Sequence, residues 1–271
     1  MVDTTPLRHY LCRALHTSDG TLPGITRNLA SGQLKGVALT ANSYATGDTV
    51  SFFDGQTIDQ WERPNRRSLE TSLNVDHIMA SSSLPLFFPP IKINDEWYGD
   101  GGIRLFAPLG PAVHMGASHV MVISTHFQET VQSSASQNEP PSPATVLAEM
   151  YNSMFLDQLD HDVRQMERTN RLLPHVESKH RHGLRKVDLL VIRPSQDLGA
   201  LAFDLKNRLP PTLRYLLNRF GGSQSGSDDF LSTLMFHPDY VRRLIEIGES
   251  DADAQADQID EFLKQSVDSQ T

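Results

Sequence analysis

Apolar residues recur at every fourth position in PLRHYLCRALHT (6–17), so Leu7, Leu11 and Leu15 share one helical face behind Pro6, a residue suited to a first helical turn. The pattern then changes period. GVALTAN (36–42) and TVSFF (49–53) are rich in β-branched and aromatic residues and are joined through Thr46, Gly47 and Asp48, which predicts a hairpin-like pair of strands. Residues 74–81 suit a short helix leading into Ser81, Ser82 and Ser83, and APLGPAVHMGA (107–117) suits another. HVMVIS (119–124) and VDLLVI (187–192) are almost wholly apolar, as parallel strands buried on both faces are.

Between and beyond those two strands the spacing is helical. Leu147, Met150, Tyr151, Met154, Phe155, Leu159, Val163 and Met166 recur at three and four within 144–173, and further helical tracts are expected around 211–220 and 230–247, separated by GGSQSGSDD. The segment 128–143 is polar and rich in Pro and Ser, which predicts a loop. The last stretch, 249–271, is acidic and is expected to be mostly solvated, with a short helix near 260–263. Strands alternating with helices predict an α/β fold with a mostly parallel sheet sandwiched by helices and a helical C-terminal region. The expected organisation is an α/β part over 1–127, the polar loop over 128–143, a helical region over 144–248 with one returning strand at 187–192, and the acidic tail.

Charge and cysteine content narrow the function classes. With 24 Lys and Arg against 33 Asp and Glu, the net charge is −9, which argues against nucleic acid as a principal partner because phosphate binding needs a basic face. A single cysteine, Cys12, excludes an intrachain disulfide and a cysteine-based zinc cluster, and fits a reducing compartment. No apolar run approaches the roughly 18 residues of a membrane span. The expected location is the cytoplasm, with peripheral membrane contact left open.

The densest candidate chemistry lies in ASSSLPLFFPPIKINDEWYGDGG (80–102). Asp100 stands just before Gly101 and Gly102, which would permit positive φ and a close backbone approach, so that the carboxylate is held on a tight turn and aimed into a cleft. Leu84, Phe87 and Phe88 would line that cleft, or belong to the core. A carboxylate beside apolar walls is pushed toward a higher pKa, which is how an Asp becomes a usable base near neutral pH.

The order of these segments, with His77-Ile78-Met79-Ala80-Ser81-Ser82-Ser83-Leu84-Pro85-Leu86-Phe87-Phe88-Pro89 followed by Tyr98-Gly99-Asp100-Gly101-Gly102 and APLGPAVHMGASHVMVIS, resembles the second half of bacterial patatin-like phospholipases. VDLLVIRPSQDLGALA and the helical end also look like that family's C-terminal region. The resemblance implies a lipid acyl hydrolase working through a Ser-Asp dyad without a cofactor. The serine would sit in a G-x-S-x-G elbow, Asp100 would be the general base, and a glycine-rich turn would form the oxyanion hole. A lipid or other ester would be the substrate, with Leu84, Phe87 and Phe88 as an acyl-chain wall unless they belong to the core.

The serine and the oxyanion hole have no counterpart in this sequence. Gly116-Ala117-Ser118-His119-Val120, Gly221-Gly222-Ser223-Gln224-Ser225 and Gly248-Glu249-Ser250-Asp251-Ala252 each lack the second glycine that the strained elbow requires. The family's order places both missing parts upstream of Met1, so the chain is expected to be the C-terminal part of such an enzyme, inactive as it stands. The alternative is a non-catalytic lipid- or partner-binding remnant.

Other polar groups suggest less. His77 reads as a turn or core histidine. His161, His175, His180 and His182 lie across a helix and a basic loop without paired carboxylates, so no metal is expected. Arg63, Arg66, Arg67 and Arg104 could meet a phosphate through their guanidinium forks, but solvation or carboxylate pairing is the expectation. Arg214 and Arg219, set among Leu213, Leu216, Leu217 and Phe220, could lie on a membrane surface, although packing of that apolar face is favoured.

Overall fold

The computed structural model describes residues 2–56, 58–105, 107–127, 157–209, 231–233 and 235–268. Expectations for 128–143, for the start of the 144–173 helix and for 211–229 fall outside these residues. The chain divides into two units, 1–117 and 118–271.

The first unit is built on six strands, β1 (Gly36–Ser43), β2 (Thr49–Gly55), β3 (Glu62–Arg63), β4 (Arg66–Glu70), β5 (Ile91–Ile93) and β6 (Glu96–Asp100). Their order in the sheet is β3-β4-β2-β1-β6-β5. The predicted pair is present: β1 and β2 run antiparallel, with Asn42 opposite Thr49.

The α/β class holds, but the direction of this sheet does not match the expected mostly parallel one. Only β2 and β4 pair in parallel; β1–β2, β1–β6, β3–β4 and β5–β6 are antiparallel. For β3–β4 and β5–β6 the reason is connection length. Two-residue loops join β3 to β4 and β5 to β6, with Asn65 (φ +60°) and Asn94 (φ +54°) taking the left-handed positions, whereas parallel neighbours need a crossover of about a dozen residues or more.

Side chains cover both faces of this sheet. Ala41, Val50, Phe52, Ile93 and Tyr98 form a core with Leu22, Leu73 and with Val75, Met79 and Ala80 of helix α3 (Val75–Ser81). On the opposite face Phe53 stacks on Trp61 (5.5 Å between ring centroids), and Trp61 stacks on His114 (4.9 Å) at the end of helix α4 (Gly110–His114).

Two further helices precede the sheet in the chain, α1 (Thr5–Ala14), as predicted, and α2 (Pro23–Ala30). Arg8 of α1 pairs with Asp76 of α3. Asn74 caps α3 reciprocally: its side chain accepts from the backbone of Asp76 (3.0 Å) and His77 (3.3 Å), while His77 Nδ1 accepts from the Asn74 N–H (3.2 Å).

The second unit contains the parallel pair that uniform apolarity predicted, β7 (His119–Ile123) with β8 (Asp188–Ile192). Helix α5 (Asp157–Leu172) runs between them in the chain, and its Asn170 clamps the backbone of Val187 from both sides (2.7 and 3.1 Å). Arg193, just past β8, pairs with Asp160 at 2.6 Å. Helix α6 (Leu198–Asp204) contributes Ala202 to a small core with Leu209, Leu231, Met235 and Tyr240.

The C-terminal region is helical, as expected, and more so. Helix α7 (Pro238–Ala254) is followed by α8 (Ala256–Asp268), where one short helical turn was expected; the described part of the segment is mostly exposed, as expected. Two anchors explain the added helix. Asp251 is buried and accepts the Ser195 N–H (2.9 Å), and Phe262 meets the ring of His119 edge-on at 5.7 Å. No helix among the described residues is long and apolar enough to cross a membrane.

Candidate functional site

Asp100 is the last residue of β6 and caps a 3₁₀ turn over Gly101–Arg104. Its position is fixed from three directions. Its Cα pairs with Ala41 of β1, its N–H donates to the Ser83 carbonyl at 3.0 Å, and its Oδ1 accepts the Gly102 N–H at 2.7 Å. Half-buried and without a cationic partner among the described residues, the carboxyl is raised above the ordinary Asp range. Burial is the main cause, and the Gly102 hydrogen bond partly offsets it.

The two glycines work differently from the expectation of positive φ, which neither adopts. Gly101 is required by proximity: a Cβ there would overlap the Thr40 carbonyl, because β1 passes directly beneath the turn. The acid is therefore aimed by packing of the turn against a neighbouring strand. Gly99, one residue earlier, is covered by the ring of Tyr44, whose hydroxyl occupies the space a Cβ would take. Tyr44 is raised above its ordinary pKa, first by burial and then by the charge of Asp100.

Tyr44 and Thr40 escaped the sequence reading. The signal that could have found them is the β1–β6 register, which sets Ser43 opposite Tyr98 and Ala41 opposite Asp100 across strands more than fifty residues apart. Thr40 and Tyr44 flank that paired segment.

The serine-rich turn bonds to helix α3. Ser82 Oγ donates to the Ile78 carbonyl at 3.0 Å and Ser83 Oγ to Met79 at 2.6 Å, so both hydroxyls close the last turn of the helix. Of the residues proposed as an acyl wall, Leu84 is buried (5 % exposed) while Phe87 and Phe88 are half-buried on the following turn. Between them Leu86 is 77 % exposed and carries φ +71°, a strained placement for a bulky apolar residue. His77 is a buried capping residue whose pKa is lowered mainly by burial. Among the described residues no His, Cys, Asp and Glu group could hold a metal ion.

The arginines separate into two kinds. Arg67 donates to Glu96 at 3.2 Å and Arg104 to the Gly47 carbonyl at 2.7 Å, as structural partners. Arg63 and Arg66 have no carboxylate partner among the described residues.

Fold and site together define a mixed α/β unit that presents a desolvated carboxylate on a glycine-bounded turn at a strand end. Residues 2–113 match the family model for patatin-like phospholipase. A search of curated proteins and a search of solved structures give no match.

Proposed function

We propose that the first unit supplies the base half of a Ser-Asp dyad for lipid ester hydrolysis, with Asp100 as general base. The observation that carries this reading is the state of Asp100: raised in pKa by burial, without a cationic partner among the described residues, and held there by one side-chain hydrogen bond, through Oδ1, which leaves Oδ2 to take a proton. In the proposed step Asp100 accepts the serine hydroxyl proton as the serine oxygen attacks the ester carbonyl. The alcohol leaves with a proton, and water attacks the acyl-serine to release the fatty acid. The exposed, strained Leu86 beside half-buried Phe87 and Phe88 supports an apolar substrate.

The sequence contains no G-x-S-x-G elbow, so the reading requires a serine from residues outside these 271. The test joins this chain to a family segment that carries the elbow and compares it with the Asp100→Asn variant on phospholipid and acylglycerol substrates. The expected result is a loss of about 10²–10⁴-fold in ester hydrolysis with the fold kept. Undiminished turnover in the variant would sink the assignment.

The missing elbow also favours a second reading, a non-catalytic lipid-binding unit. Vesicle or fatty-acid binding by the chain, with no hydrolysis even after the elbow segment is restored, would select it.

A further inference from the structure

An open cavity of about 440 Å³ at the edge of the first unit's sheet is lined by Asp48, Glu62, Arg63, Pro64, Asn65, Arg66 and Arg67. Its chemistry follows from the β3–β4 hairpin. The two-residue loop Pro64-Asn65 sets Arg63 directly opposite Arg66 in antiparallel register. Side chains opposite each other in such a pair have Cβ atoms about 5 Å apart, and like charges placed so are destabilising. Asp48 and Glu62 share the lining, yet among the described residues neither arginine makes an ion pair, and the side-chain hydrogen bond of Arg63 goes to the Glu62 carbonyl at 3.0 Å.

The charge is felt nearby, because His114 is lowered from its ordinary pKa by burial and, beyond that, by Arg63 and Arg66. Arg67 completes the wall, its Nη2 fixed by Glu96, which also accepts from Tyr98 Oη (2.8 Å) and Ser43 Oγ (3.3 Å). Two cross-strand arginines that make no ion pair among the described residues keep a local conflict, and such conflicts are expected at functional sites.

We propose that this cavity is a binding site for one phosphate-class oxyanion, held by the forks of Arg63 and Arg66. Guanidinium groups meet phosphate oxygens bidentately, and an anion between the two would turn their repulsion into two charge-assisted contacts. With Arg67 paired to Glu96, Asp48 and Glu62 balance Arg63 and Arg66 in formal charge, so the lining disfavours a polyanion and binding rests on the geometry of the two forks.

The site is separate from the one built around Asp100. Arg66 is opposite Thr49, Thr49 opposite Asn42, and Asn42 opposite Gly99, so three strand spacings of about 4.8 Å put Arg66 about 14 Å from the residue before Asp100. The same register sets Arg66 on the sheet face of Thr49 and Asn42, and Asp100 on the opposite face with Ala41 and Val50, so the inference stands whether or not Asp100 is a base.

The test uses the whole chain and inorganic phosphate, with chloride at matched ionic strength as control. Expected is a phosphate-dependent rise in unfolding midpoint and a saturable calorimetric signal, weakened about tenfold or more in each of Arg63→Gln and Arg66→Gln. Arg63 is exposed, so its variant keeps the fold and preserves the test if Arg66→Gln does not.

Vesicles carrying phosphatidate, against phosphatidylcholine alone, then identify the source. Retention that phosphate displaces and Arg63→Gln abolishes supports the site with a lipid headgroup as its ligand. Phosphate binding without retention supports it with a soluble phosphorylated ligand. A phosphate response no larger than that of chloride, or one unchanged in both variants, overturns the proposal.

Discussion

Asp100 and Gly101 show how single positions are constrained by their neighbours. A Cβ at residue 101 has no room above the Thr40 carbonyl, and that oxygen belongs to the central strand β1, which cannot retreat without breaking its pairing with β2. Gly101→Ala is therefore expected to destabilise the first unit by about 2–3 kcal/mol in urea unfolding. Gly24→Ala, at an open helical position with nothing near its Cβ, should leave stability unchanged or raise it slightly. Equal effects of the two changes would refute the packing account.

The charge on Asp100 has its own signature. Its folded pKa lies above the ordinary Asp value of about 3.8, so between that value and the raised one the unfolded chain gives up a proton that the folded chain keeps. Stability must then fall as pH rises through that window. Asp100→Asn removes the cost of the buried charge, so the variant should be more stable than the parent at neutral pH, with the gap closing below about pH 3.8. A gap that persists in strong acid would show that the carboxyl's ionisation is not its source.

Among the elements, α3 is the one on which the site leans, because Ser82 and Ser83 fasten the turn to its carbonyls and Ser83 in turn receives the Asp100 N–H. Its start depends on the reciprocal cap between Asn74 and His77. Asn74→Ala is expected to cost about 1 kcal/mol of first-unit stability, and more than Ser72→Ala, which lies on an exposed position outside the helix. What the sequence made legible at this scale was local: the amphipathic spacing of α1, the β1–β2 pair, the short helix before the serines, and the apolar runs of β7 and β8.

What escaped depended on partners distant in sequence. The antiparallel direction of β6 against β1 follows from pairing across more than fifty residues, and without it neither Thr40 nor Tyr44 could be placed at the turn. Helix α8 was hidden because its charged composition reads as solvated, while its hold on the fold comes from Phe262 against His119, far away in the chain. Asp100 itself was legible because it carries its own local marker, two glycines, although one of them serves a contact that only the tertiary structure reveals.

At the scale of the whole molecule, the first unit's main core draws all its members from residues before 118: Leu22, Ala41, Val50, Phe52, Leu73, Val75, Met79, Ala80, Ile93 and Tyr98. The family match, over 2–113, falls inside the same unit. A core closed on itself in this way should unfold by its own cooperative transition. The sequence provides the probe, because both tryptophans, Trp61 and Trp97, lie in that unit. Trp61 is stacked between Phe53 and His114, so its emission reports the packing of one sheet face. The long helices α5, α7 and α8 lie in the second unit and contribute strongly to far-ultraviolet circular dichroism. The expected outcome is that tryptophan emission gives the same urea midpoint for the whole chain as for residues 1–117 expressed alone, with a single sigmoidal transition in both. A non-cooperative decay of the isolated unit, or a midpoint far below that of the whole chain, would mean that its stability depends on the residues after 117.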